Sequence, residues 1–187
     1  VSCDKLPEDE LIEKVVRKRR THFSRMCLQF VQRAKKQCLA PEDLDKKIKT
    51  FNFSCEKEKV FCFIATRIYR RYEAELKQQN LIDFDDLMAL AVGKIESERG
   101  NVVISPDSEA ALNLSTLKWL MVDEFQDISP LFINLIKTLR AYNSSLKLFC
   151  VGDNWQAING FAGSDLTYFN NFSDHFNDAV LLDLQNN

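Results

Sequence analysis

The chain places two carboxylates, Asp123 and Glu124, directly after the apolar run Trp119-Leu120-Met121-Val122. An aspartate in that position can hold the magnesium ion that a nucleoside triphosphate brings with it. A neighbouring glutamate can act as general base, aiming a water at the γ-phosphate. Acidic pairs are common on protein surfaces, so this one gains weight from a second block. Phe149-Cys150-Val151-Gly152-Asp153-Asn154-Trp155-Gln156-Ala157-Ile158 repeats the design of an apolar strand running into a polar loop.

Such chemistry needs elements that hold the acids at a strand's carboxyl end, where α/β sheets bind ligands. A parallel strand covered on both faces reads as continuously apolar. Trp119–Val122 and 146–151 therefore read as two buried strands, and 179–182 (Ala-Val-Leu-Leu) as a third. Between the first two, Ser129 reads as a cap and Pro130 as the opening of a helix with the face Leu131, Phe132, Leu135, Ile136 and Leu139. Residues 165–172 read as a short helix, and 99–116 as a loop or irregular insertion. Strand, helix, strand, helix, strand is the α/β pattern with a parallel sheet.

Upstream the style is different. No glycine precedes Gly93, and only Pro7 and Pro41 interrupt the first eighty residues, which favours helices. Pro7 followed by Glu8, Asp9 and Glu10 reads as a helix start, as does Pro41-Glu42-Asp43. Phe23, Met26, Cys27, Phe30 and Val31 recur at helical spacing. A third helix is expected from about Glu56 to Gln79, with Val60, Ile64, Ile68, Tyr72 and Leu76 as its core stripe. A short helix follows Leu81-Ile82-Asp83-Phe84-Asp85-Asp86-Leu87, where Asp85 and Asp86 read as capping or structural acids.

The chain of 187 residues is 45% hydrophobic with a net charge of −2, enough for a core. That charge is unevenly divided. Residues 1–80 carry 19 Lys and Arg against 12 Asp and Glu, and residues 81–187 carry 6 against 15. A basic half beside an acidic one is a hint of nucleic-acid contact by the first, although charge alone fits a solvated helical surface better, and an acidic second half suits a metal–nucleotide site without requiring one. No apolar run approaches the roughly 18 residues of a membrane span, and the start is too polar for a signal peptide. The six cysteines lack metal-ligand spacing and read as reduced thiols of a cytoplasmic protein.

Taken together, Leu120-Met121-Val122-Asp123-Glu124-Phe125-Gln126-Asp127 and Val151-Gly152-Asp153-Asn154-Trp155-Gln156-Ala157-Ile158 resemble the UvrD/Rep-like DNA helicases of superfamily one. Asp83-Phe84-Asp85-Asp86-Leu87 lies upstream as it does there. Asp153–Ile158 and Phe161-Ala162-Gly163 look most like the helicase IV branch. The resemblance implies a RecA-like parallel sheet, part of a P-loop NTPase motor domain, over 81–187. It implies an all-α basic helical insertion over 1–80. It also implies ATP and Mg2+ as cofactors, 3′ to 5′ movement, and single-stranded DNA or a single/double-strand junction as substrate. By the same resemblance Asp123 holds the magnesium ion, Glu124 is the general base and Gln156 senses the γ-phosphate. Phe161 stacks on a DNA base, with a place in the core as its alternative, and Trp155 is read as a second DNA contact, with packing as its alternative. Gln126 and Asp127 organise the site.

Departures from the pattern matter too. This chain has no G-x-x-x-x-G-K-[ST] loop for the phosphates. The arginines of a second motor domain are missing as well. Asn159 stands where tyrosine is usual, and Ala162 where an arginine often follows the aromatic. The expected partners therefore include the remainder of a helicase, with its phosphate-loop segment and second motor domain. The alternative reading is a non-catalytic nucleic-acid or protein binding module on a degenerate motor fold. A third is a repair subunit joining helicase parts to a nuclease.

Overall fold

The computed structural model describes residues 8–104, 112–157, 163–177 and 179–183, with side chains described for 17–102, 113–157, 163–177 and 179–183. The chain divides into two compact units. One comprises residues 1–34 with 39–80, and the other residues 35–38 with 81–187.

The first unit is helical. α1 (Glu8–Lys36), α2 (Pro41–Thr50) and α3 (Glu56–Gln78) follow one another, and Pro41 begins α2 at a position where its missing N–H costs nothing. Glu42 and Asp43 lie in the first turn of α2 and Lys47 and Lys49 in its last, matching the helix dipole at both ends. Val31 and Ala34 of α1, Leu44 of α2 and Tyr69 of α3 form the core, with Phe30, Leu39 and Tyr72 packed against it. Phe61 meets Phe23 and Phe30 edge to face. The expected core stripe of α3 is corrected here. Val60, Ile64 and Ile68 are exposed, while Ala65, Thr66 and Tyr69 are buried. Ala65 and Thr66 are small enough to let neighbouring backbones approach, so the packed face is turned from the most apolar one. Arg70 is ion-paired with Asp45 and Glu42, tying α3 to α2.

The second unit opens with α4 (Phe84–Ser97). Asp83 caps it in a complete capping box: Asp86 N–H donates to Asp83 Oδ1 at 2.8 Å, and Asp83 N–H donates to Asp86 Oδ2 at 3.2 Å. Lys35 Nζ donates to both carboxylates at 2.6 Å from a buried position. Removing one partner of such a buried pair costs on the order of 3 kcal/mol, since the other charge is left unpaired. The described residues of 99–116 hold more order than a loop: β1 (Val103–Ile104) pairs antiparallel with β2 (Leu112–Asn113), and a 3-10 turn follows at Leu114–Thr116.

β3 (Trp119–Val122) and β4 (Lys147–Cys150) pair in parallel, Trp119 opposite Lys147 and Val122 opposite Cys150. The right pairing comes with an unexpected burial. Both strands alternate, so that Leu120, Val122, Leu148 and Cys150 face a core of Phe125, Ile128, Ile133, Ile136 and Phe176. The opposite face leaves Trp119, Met121 and Phe149 exposed, because no element of the described residues covers it. α5 (Pro130–Tyr142) joins the strands and buries Leu131, Ile133, Ile136 and Thr138, while Phe132 is exposed. Ser129 occupies the cap position of α5, but its side chain makes no capping hydrogen bond. The expected helix over 165–172 is two single turns, α6 (Thr167–Asn170) and α7 (Phe172–His175). The expected third strand is not formed: residues 179–183 are without regular structure and Val180, Leu181 and Leu182 are exposed. A strand exists only through its ladder, and these residues have no partner among those described.

Candidate functional site

β3 ends at Val122, and the chain turns at once. Glu124 adopts the left-handed conformation, φ 53° and ψ 42°, which non-glycine residues occupy at some energetic cost and which clusters at functional sites. Asp123 Oδ1 accepts the Glu124 N–H at 2.9 Å, so the two acids are fixed relative to each other through the backbone. The 3-10 turn Phe125–Asp127 then plunges inward. Phe125 is almost wholly buried, edge to face with Phe172 at 5.3 Å between centroids. That anchor ties the turn to the core while Asp123 and Glu124 stay exposed.

The second block docks on this turn. Val151 N–H donates to Val122 O at 2.9 Å and Phe125 N–H to Val151 O at 2.9 Å, stitching the two segments beyond their strands. Asp153 caps a 3-10 turn at Asn154–Gln156: its Oδ1 accepts the Trp155 N–H at 2.9 Å and its Oδ2 accepts Gln156 Nε2 at 3.0 Å. Gln126 links the blocks. Only 2% exposed, it donates from Nε2 to Glu124 Oε2 at 2.6 Å and accepts the Asp153 N–H on Oε1 at 2.9 Å.

Four of the residues singled out from sequence, Asp123, Glu124, Gln126 and Gln156, thus share one connected cluster. Asp127 donates its N–H to Glu124 O at 2.9 Å and belongs to the same turn. Trp155 is on the loop and 93% exposed among the described residues. Phe161 lies outside the described residues, as do Asn159 and Ala162. Asp83 and Asp86 are engaged in the capping box and with Lys35, away from any catalytic geometry. Burial, followed by the negative charge of Asp83, raises the Asp85 carboxyl above its ordinary range. Burial pushes the Cys150 thiol, which packs partly buried against the core, up to about 12.

Sequence reading did not single out Lys35 or Gly152. Lys35 sits in a basic run whose members look alike, and only its contacts distinguish it. Gly152 carried a signal in the tight polar loop after a strand, but its need for space is visible only beside Gln126.

Among the described residues no group of three or more His, Cys, Asp or Glu side chains is placed to hold a metal by itself. A magnesium ion suits such a donor set when one carboxylate and the substrate's phosphates supply its ligands. Asp123, exposed at the strand's end with one oxygen engaged by the backbone, fits that role.

A family model described as the UvrD/REP helicase N-terminal domain matches residues 4–177. The chain belongs to the UvrD/REP helicase family. DNA helicase IV of Escherichia coli (strain K12) is 36% identical over 117 residues, 63% of this chain and 15% of that protein. ATP-dependent DNA helicase Rep of Buchnera aphidicola is 28% identical over 189 residues, 98% of this chain and 25% of that protein. ATP-dependent DNA helicase PcrA of Leuconostoc citreum is 28% identical over 163 residues, 87% of this chain and 19% of that protein. The UvrD/REP family match spans both structural units. The chain accounts for only about a quarter or less of the length of these relatives. No helix among the described residues is long and apolar enough to cross a membrane.

Proposed function

We propose that this chain supplies part of the first motor domain of an ATP-dependent DNA helicase or translocase, moving 3′ to 5′ on single-stranded DNA. Residues 81–187 would be part of a RecA-like sheet and residues 1–80 its helical insertion. The observation that carries the reading is the hydrogen-bonded cluster at the carboxyl ends of two parallel strands. It sets one exposed carboxylate beside a second that a buried amide holds in place. In this reading Asp123 binds the magnesium ion of MgATP, whose positive charge neutralises the phosphates. Glu124 orients the attacking water and accepts its proton. Gln156, held by Asp153, reports the presence of the γ-phosphate. Trp155 and Phe161 offer aromatic faces to unpaired bases, each worth on the order of 1–3 kcal/mol and nearly blind to sequence.

The test is ATP turnover by the full-length native product, with and without single-stranded DNA, beside its Glu124→Gln variant. DNA-stimulated turnover that falls by at least about 10²-fold in the variant, with nucleotide binding retained, is the expected result. A folded product that binds DNA but turns over no ATP would make the chain a non-catalytic binding module instead.

A further inference from the structure

We infer that Gln126 is a positioning residue for the reaction, coupling the orientation of the Glu124 carboxylate to the loop that carries Gln156. The inference rests on the assignment of Glu124 as general base. Gln126 is the most buried polar side chain of the site, and both ends of its amide are used. Its orientation is determined by its partners: the Asp153 N–H can meet only the amide oxygen, which leaves the NH2 for the Glu124 carboxylate. The bond to Glu124 Oε2, at 2.6 Å, is charge-assisted and short. Glu124 is itself exposed, and a carboxylate on an exposed side chain samples many rotamers unless something holds it.

The bonds run on without a break. Gln156 Nε2 donates to Asp153 Oδ2, Asp153 N–H to Gln126 Oε1, and Gln126 Nε2 to Glu124 Oε2. A shift of the Asp153 loop when Gln156 meets a phosphate therefore moves the acceptor side of the same amide whose donor side fixes Glu124. Phe125 and Phe172 hold the backbone of the turn, so the side-chain amide is the part left to respond. Gly152 keeps the two close, because no side chain fits between it and Gln126 Oε1.

The experiment uses the full-length native product and single-turnover ATP hydrolysis with single-stranded DNA. It compares Gln126→Leu, Gln126→Glu, Glu124→Gln and the double variant Glu124→Gln/Gln126→Leu. Gln126→Leu removes both bonds at similar volume. Gln126→Glu keeps an acceptor for Asp153 and loses the donor to Glu124. Both should lower the chemical rate on the order of 10²-fold, the scale expected when a reacting group is misplaced by about 1 Å. The apparent affinity for ATP should hold. In the Glu124→Gln background the Leu change should cost nothing further, because the group it positions is already gone. Wild-type turnover in Gln126→Glu, or an undiminished Leu effect in the Glu124→Gln background, would overturn the inference. Normal turnover in Glu124→Gln alone would instead remove the base assignment beneath it. A thermal midpoint close to wild type in either Gln126 variant ensures that the rate reports geometry and not unfolding.

Discussion

A Cβ on Gly152 would lie 2.5 Å from Gln126 Oε1, 2.8 Å from Phe169 Cε2 and 3.1 Å from Gln126 N. None of these atoms can give way cheaply, since Gln126 is pinned at both ends of its amide and Phe169 packs on the core. Gly152→Ala should therefore cost about 1–3 kcal/mol in denaturant unfolding, the usual penalty of overpacking. Turnover should fall further than nucleotide affinity, because the first atom displaced, Gln126 Oε1, belongs to the amide whose Nε2 orders Glu124. Equal losses in both would show that the collision spreads beyond the amide. Gln126, Gly152 and Asp153 were legible as residues of motifs, yet their relation was not. Spacing along a sequence does not say which amide is buried between two loops.

α4 shows how an element can be secured by charge and still carry a local cost. Its capping box and Lys35 neutralise Asp83 and Asp86, while Asp85 is left partly buried beside the Asp83 carboxylate, with Lys35 and Lys36 offsetting only part of that cost. The Asp85 carboxyl is raised in the folded state, so the folded chain binds more protons than the unfolded one above the ordinary value of 3.8. Stability from this group is then lost as pH rises from that value through the folded pKa. Asp85→Asn should raise the thermal midpoint at neutral pH, and the gain should shrink towards zero as pH falls below 3.8. A gain that persists unchanged at low pH would assign it to something other than the charge. Asp85 and Asp86 read as capping or structural acids from the sequence; the cap itself is Asp83, Asp86 completes its box, and Asp85 takes no part in it. The buried lysine that completes the arrangement was not readable, since it comes from α1, 48 residues upstream of Asp83.

At the scale of the whole molecule the division of charge bears on the DNA contact proposed above. Lys18, Arg19, Arg20 and Arg25 are exposed on α1 and carry part of the basic excess of residues 1–80. If they neutralise phosphates, Arg19→Glu combined with Arg20→Glu should weaken single-strand binding equally for unrelated sequences. The slope of log affinity against log salt should flatten by about 0.7 for each phosphate no longer neutralised. An unchanged slope across a salt titration would locate the DNA interface elsewhere. The exposed apolar face of β3 and β4 belongs to this scale as well. Trp119, Met121 and Phe149 read as buried because continuously apolar strands usually are; among the described residues Lys147 lies over the Trp119 ring, but no further helix or strand is laid across the face.

Local chemistry by itself determined much about this protein. Pro41 and Pro130 mark helix starts, the runs before Asp123 and Gly152 form strands, and the two acidic and polar blocks name the family. Each depends on neighbours within a few residues, which a sequence displays directly. Tertiary structure alone decided which face of α3 is packed, that residues 179–183 find no partner among those described, and that Gln126 joins Glu124 to Asp153. These are matters of close packing and ladder pairing between segments far apart in the chain. Their outcome turns on volume and reach in three dimensions, which no local pattern encodes.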